Sequence, residues 1–128
     1  MSKESIRAGD NINTNLSSWD FGGETPLKFD DHISKSVPGY EEGQELIATY
    51  SSFFIDLTPN LIYDLGCSTG TLIKKITDYN KDIKFKSIGF DIEKNMINEA
   101  KKKNLNKKNV SFRCADINKI KLDKSDFV

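Results

Sequence analysis

The chain has 128 residues, and 19 Lys and Arg balance 19 Asp and Glu, so the formal charge is zero. That length holds one domain with a modest core, and the balanced charge carries no direct signal for binding nucleic acid, which usually shows as a basic excess. No apolar run approaches the roughly 18 residues that a membrane span needs, so no membrane contact is expected.

Residues 1–25 are rich in Ser, Asn, Asp and Gly and read as a polar tail that docks, if anywhere, through Trp19 and Phe21. Gly22, Gly23 and Pro26 are expected to break regular structure there. Residues 26–60 read as capping helices: a short one over 29–35, a turn at Val37-Pro38-Gly39, and an amphipathic one over 41–57. The second carries Leu46, Ile47, Tyr50, Phe53, Phe54 and Leu57 near helical spacing, with Pro59 just past its end, so Phe53 and Phe54 are expected in the core.

From residue 61 the pattern changes to short apolar strands alternating with helices. Strands are predicted over 61–65, 83–90 and 109–114, and helices over 71–79 and 94–103. Such alternation implies βαβ crossovers and a parallel sheet. Asp126-Phe127-Val128 reads as the start of a fourth strand, so residues 61–128 are expected to be an incomplete Rossmann-like α/β domain of strand order 3-2-1-4. Lys101, Lys102, Lys103, Lys107 and Lys108 are expected at a solvated helix end. Cys67 and Cys114 have neither a disulfide framework nor metal-ligand spacing, and the N-terminus lacks a signal-peptide core. No metal and a cytoplasmic setting are expected.

The segment Asp64-Leu65-Gly66-Cys67-Ser68-Thr69-Gly70 links a strand to a helix. Its small residues let a ligand approach the backbone, at the strand end where open α/β sheets bind ligands. The spacing from Gly66 to Gly70 is G-x-x-x-G, neither the dinucleotide fingerprint nor the P-loop. Asp64 at the strand end would repel a pyrophosphate and favour the amino group and sulfonium of S-adenosylmethionine. Asp91 closes the second strand, where an acid can accept bonds from both ribose hydroxyls. Asp116 follows the third strand and can accept from the adenine amino group, with Ile117 and Met96 against the two ring faces.

On Tyr63 to Gly70, on Gly89-Phe90-Asp91-Ile92 with Met96, and on Ala115-Asp116-Ile117, the chain resembles the first three motifs of class I S-adenosylmethionine-dependent methyltransferases. Ser68 stands where many members have Gly. A narrower resemblance adds Phe29-Asp30-Asp31 and Ser36-Val37-Pro38-Gly39-Tyr40, which are similar to the carboxy-S-adenosylmethionine synthase family of tRNA wobble-uridine modification. That resemblance implies that Tyr40 contacts the cofactor.

The expected cofactor residues are therefore Tyr40, Asp64, Gly66, Cys67, Ser68, Gly70, Asp91, Ile92, Met96, Asp116 and Ile117. Gly66 and Gly70 are expected to let the methionyl part approach, with Cys67 a small residue tucked under the sheet end and lone His32 at the surface. The first expectation is a methyltransferase acting on an undefined small-molecule or RNA-related acceptor, with no general base named and a homodimer as a candidate assembly. A carboxy-S-adenosylmethionine synthase-like enzyme and a non-catalytic nucleoside-binding fragment are the alternatives, and the glycine spacing disfavours an NAD-dependent dehydrogenase.

Overall fold

A computed structural model describes residues 25–56 and 60–128. Two helices, α1 (Thr25–Ser36) and α2 (Tyr40–Ser51), precede β1 (Asn60–Leu65), α3 (Thr71–Tyr79), β2 (Phe85–Asp91), α4 (Lys94–Lys103) and β3 (Val110–Cys114). A 3-10 turn follows over Ile117–Lys119. Trp19, Phe21, Leu57 and Pro59 lie outside the described residues.

The three strands form a parallel sheet in the order β1-β2-β3. Its register sets Asp64 beside Gly89 and Leu65 beside Phe90, and Asp91 beside Cys114. On the free side of β1 a single parallel bridge joins Ile62 to Phe127. There the amide of Tyr63 donates to the Phe127 carbonyl (3.1 Å) and that of Asp126 to the Leu61 carbonyl (2.9 Å). The predicted order 3-2-1-4 is thus present, its fourth member reduced to one bridge.

Packing follows from alternation along the strands. Ile62 and Phe85 meet Ala48, Ile55 and Ile76, joining α2 and α3 to the sheet. Phe112 packs with Ile73, Ile97, Ala100 and Cys67 under α3 and α4. Tyr63, Ile88 and Phe90 face the other way and are covered by Ala115, Ile120 and Leu122 from the segment after β3. Both crossover helices end on a buried asparagine. The Asn80 side chain donates to the Ile76 carbonyl (2.9 Å) and that of Asn104 to the Ala100 carbonyl (3.0 Å), satisfying last-turn carbonyls.

Two expectations about the capping helices are corrected. Pro26 does not break structure: it sits in the first turn of α1, where its missing N–H has no intrahelical partner to lose. Nor do Phe53 and Phe54 belong to the core. Helix α2 stops at Ser51, both phenylalanines lie in the following turn, and Phe53 is 78% exposed. Leu46, Ile47 and Tyr50 are exposed as well. The face that α2 buries is instead Gln44, Ala48 and Ser51, a narrow stripe that lets it lie close to α3, where Asn80 Nδ2 donates to Ser51 Oγ (2.9 Å). Phe54 rests on Phe127, with ring centroids 5.3 Å apart.

The lysine cluster is likewise more than a solvated helix end. Lys102 pairs with Glu99, but Lys103 reaches Asp30 on α1 and Lys107 reaches Asp78 on α3.

Gly70 is held twice over. Its φ is +72°, and a Cβ there would stand 2.8 Å from the Phe112 ring and 3.0 Å from the Ala100 methyl. Gly70→Ala should therefore lower unfolding free energy by roughly 3 kcal/mol. Gly66→Ala, at φ +83° with open space around it, should lose only about 1 kcal/mol. Urea unfolding of both variants checks the difference, and equal midpoints would contradict it.

Candidate functional site

The turn from β1 to α3 is fastened to the end of β2. The amides of Gly66 and Cys67 both donate to the Phe90 carbonyl, at 2.8 and 2.9 Å, and the Gly70 amide donates to the Cys67 carbonyl (2.8 Å). The Asp91 carboxylate closes the arrangement. Its Oδ2 accepts from the Ser68 amide (2.9 Å) and its Oδ1 from the Glu93 amide (2.9 Å), one residue before α4. Ser68 adopts φ +48°, in the left-handed region, with Gly66 and Gly70 positive on either side.

This folding opens a two-lobed cleft above the strand ends. The larger lobe, about 540 Å³, is lined by Gly66, Ser68, Asp91, Ile92, Met96 and Ile117, with Asp116, Asn118, Glu93, Ala115, Phe29 and Ile33 completing it. The smaller, about 310 Å³, brings Asp64, Cys67, Thr69 and Thr71 against Tyr40 and Gln44 of α2. Gly66, Ser68 and Phe29 line both lobes. Asp64 thus occupies one lobe and Asp91 and Asp116 the other, joined across Gly66.

The larger lobe is walled mainly by apolar side chains with acids among them. Ile92 and Ile117 are exposed although large and apolar, and Met96 is buried behind them. Asp116 Oδ1 accepts from the backbone and side-chain nitrogens of Asn118, at 3.0 and 3.1 Å, which fixes the carboxylate in place. Carboxylate oxygens carry further lone pairs, so Asp91 and Asp116 keep acceptor capacity toward a ligand.

The smaller lobe carries an uncompensated charge. Asp64 is half-buried, and its carboxylate has no hydrogen-bond or ion-pair partner among the described residues. Desolvation, and then repulsion from Asp91, push its carboxyl up to about 6. The Tyr40 phenol is also raised, by burial and then by Asp30 and Asp64. Burial, then Asp64 and Asp91, likewise raise the Cys67 thiol, so it stays protonated and packs as a small residue rather than attacking as a thiolate.

Two site expectations change in detail. Gly70 lines neither lobe; it meets Phe112 and Ala100 instead, so of the two turn glycines Gly66 is the one on the cleft. His32 is half-buried on α1, its Nε2 3.4 Å from Ser36 Oγ. The sequence reading missed Phe29, Ile33, Gln44, Thr69 and Thr71 as cleft residues. The spacing of Phe29 and Ile33, one helical turn apart, is the signal that could have found the first two.

Residues 62–128 match the family model described as a methyltransferase domain. Carboxy-S-adenosyl-L-methionine synthase 1 of Yersinia pseudotuberculosis serotype IB (strain PB1/+) is 39% identical over 92 residues, 70% of this chain and 36% of that protein. A solved methyltransferase candidate of the S-adenosyl-L-methionine-dependent class from Methanococcus maripaludis superposes with a TM-score of 0.61 at 19% identity, covering 84% of this chain and 48% of that one. Magnesium protoporphyrin IX methyltransferase from Synechocystis PCC 6803, solved with bound SAH, gives 0.53 at 17% identity over 89% of this chain and 45% of that one. The structural likenesses establish the Rossmann-like fold. The chain spans 36% of the length of the Yersinia relative.

Two substitutions test the site's energetics. Ser68→Gly should stabilise by roughly 0.5–1 kcal/mol, the relief of a left-handed serine less the added freedom of the unfolded chain; a lower urea midpoint would contradict it. For Asp64 the folded-state carboxyl lies above its unfolded value of 3.8. The folded state therefore binds the extra proton, and stability falls as pH rises from about 4 to 6. Asp64→Asn should add roughly 1–3 kcal/mol at pH 7.5 and nothing near pH 3.5. Unfolding curves at the two pH values check this, and a pH-independent gain would overturn the account.

Proposed function

The chain belongs to the methyltransferase-domain family, and from that membership we propose that it holds S-adenosylmethionine for methyl transfer to an acceptor. The observation that carries this reading is the partnerless carboxylate of Asp64 in the smaller lobe. A buried charge without a counterion is costly unless a ligand supplies one, and the amino group of the cofactor is such a counterion. When bound, the cofactor supplies an electrophilic methyl on sulfur.

The chain's own residues hold and orient it. Asp91 accepts from the ribose hydroxyls while keeping the Ser68 and Glu93 amides in place. Ile92, Met96 and Ile117 enclose the adenine, and Asp116 accepts from its amino group. Gly66, open to solvent and without a side chain, lets the tail cross from one lobe to the other. Tyr40 lines the smaller lobe with Asp64. Transfer then depends on in-line placement of donor and acceptor. The acceptor, a small molecule or an RNA-related group, and a second copy of the chain are the proposed partners. A cytoplasmic setting accords with two free cysteines.

A second reading is synthesis of a carboxylated cofactor, supported by the name and 39% identity of the Yersinia relative. Mass spectrometry of the nucleoside that copurifies with the chain separates the two: a carboxylated mass favours the synthase.

Calorimetry with S-adenosylmethionine, S-adenosylhomocysteine and NAD tests the common premise. The two sulfur nucleosides should bind and NAD should not. Asp91→Ala should weaken binding at least tenfold, about 1.4 kcal/mol. Affinity for the cationic cofactor should also fall as pH drops through about 6, where Asp64 takes up its proton. Binding of NAD alone would refute the cofactor reading.

A further inference from the structure

Helix α1 reaches the cleft through a polar cluster distinct from the ligand-facing acids. Asp30 Oδ1 accepts from the hydroxyls of Thr69 (2.7 Å) and Thr71 (3.2 Å). Lys103, from the last turn of α4, pairs with Asp30 Oδ2 and donates to the same two hydroxyls, at 2.9 and 2.6 Å. Each threonine hydroxyl can therefore donate to the aspartate and accept from the lysine, a closed ring of four groups from three parts of the chain. Thr69 is 2% exposed and the Lys103 side chain 25%, while the Asp30 side chain, at 48%, keeps one side of the ring open to solvent. Charge-assisted bonds are stronger than neutral ones, and the buried Thr69 hydroxyl anchors the inner side of the ring.

The position of this ring gives it a consequence for ligands. Thr69 and Thr71 line the smaller lobe. Phe29, adjacent to Asp30, is buried and walls both lobes. Helix α1 has twelve residues, too few to hold its shape unaided, and its described buried side chains are Pro26 and Phe29. We propose that Asp30 and Lys103 are positioning residues of the cofactor cleft, locking α1 onto the glycine turn so that Phe29 stands as the partition between the nucleoside lobe and the Asp64 lobe. Resting on the cofactor reading, this assigns them control of how long the ligand is retained. A sulfur nucleoside reaching both lobes must bend past Phe29, and it leaves when α1 lifts.

The test uses S-adenosylhomocysteine as probe and measures its dissociation rate by stopped flow, alongside thermal melts without ligand. Asp30→Asn and Lys103→Met should each speed dissociation about tenfold while moving the melting temperature by only a few degrees. The double variant should be no faster than either single one, because both remove the same ring. Exchange of the pair, Asp30→Lys with Lys103→Asp, should return the rate to within about threefold of wild type, since threonine hydroxyls donate or accept equally well. Phe29→Ala should match the fast variants if the partition is what the ring holds. Wild-type rates in Asp30→Asn and Lys103→Met, or failure of the exchange to restore a slowed release, would overturn the assignment. A wild-type chain that does not bind the probe would instead sink the cofactor reading itself.

Discussion

The site depends on one carboxylate, that of Asp91. It ends β2, accepts the Ser68 amide from the glycine turn, and accepts the Glu93 amide at the entry to α4. The glycine turn and the junction of β2 with α4, 23 positions apart at Ser68 and Asp91, are thereby set against one another to within a hydrogen-bond length. The Ser68 amide, in a residue held in the left-handed region, finds its partner in that carboxylate, and both residues line the larger lobe. The glycines support the same arrangement from below. Gly70 and Gly89 leave room for Phe112, whose ring would be blocked by a side chain at either position. The cleft is shaped by what those positions lack as much as by what the acids contribute.

Asp64 shows the opposite economy. It fastens nothing in the described structure, and its half-buried charge opposes folding at neutral pH. On the proposed reading, a cationic ligand relieves that charge. On that reading stability and binding pull against each other at Asp64, whereas at Asp91 they pull together. The two lobes differ accordingly: the larger offers apolar walls with acids among them, the smaller an unpartnered carboxylate in the same lobe as Tyr40.

Helices α1 and α2 build the upper wall, and they attach to different elements. Helix α2 lies on α3 through Ala48 and Ser51. Helix α1 is tied by Asp30 to residues of the glycine turn and of α4. Both attachments join buried side chains to polar bonds, Ser51–Asn80 and Glu45–Lys75 for α2 and Asp30–Lys103 for α1.

The α/β order of residues 61–114 was legible in the sequence because strand and helix periods differ and each apolar run was bounded by Gly, Asn or Asp. Asp64, Asp91 and Asp116 could be named because strand ends are places the sequence marks. Helix α2 was misread: Leu46, Ile47, Tyr50, Phe53 and Phe54 mimic an inward face, while close approach to α3 selected Gln44, Ala48 and Ser51. The ring of Asp30, Thr69, Thr71 and Lys103 left no pattern at all, since its members come from elements up to 73 positions apart. Local periodicity and turn chemistry are written in neighbouring residues, so the sequence alone determined the strands, the glycine turn and the acids at its edge. Which helix face is buried, and which charges meet, are settled by contacts between segments, and only the tertiary structure decided them.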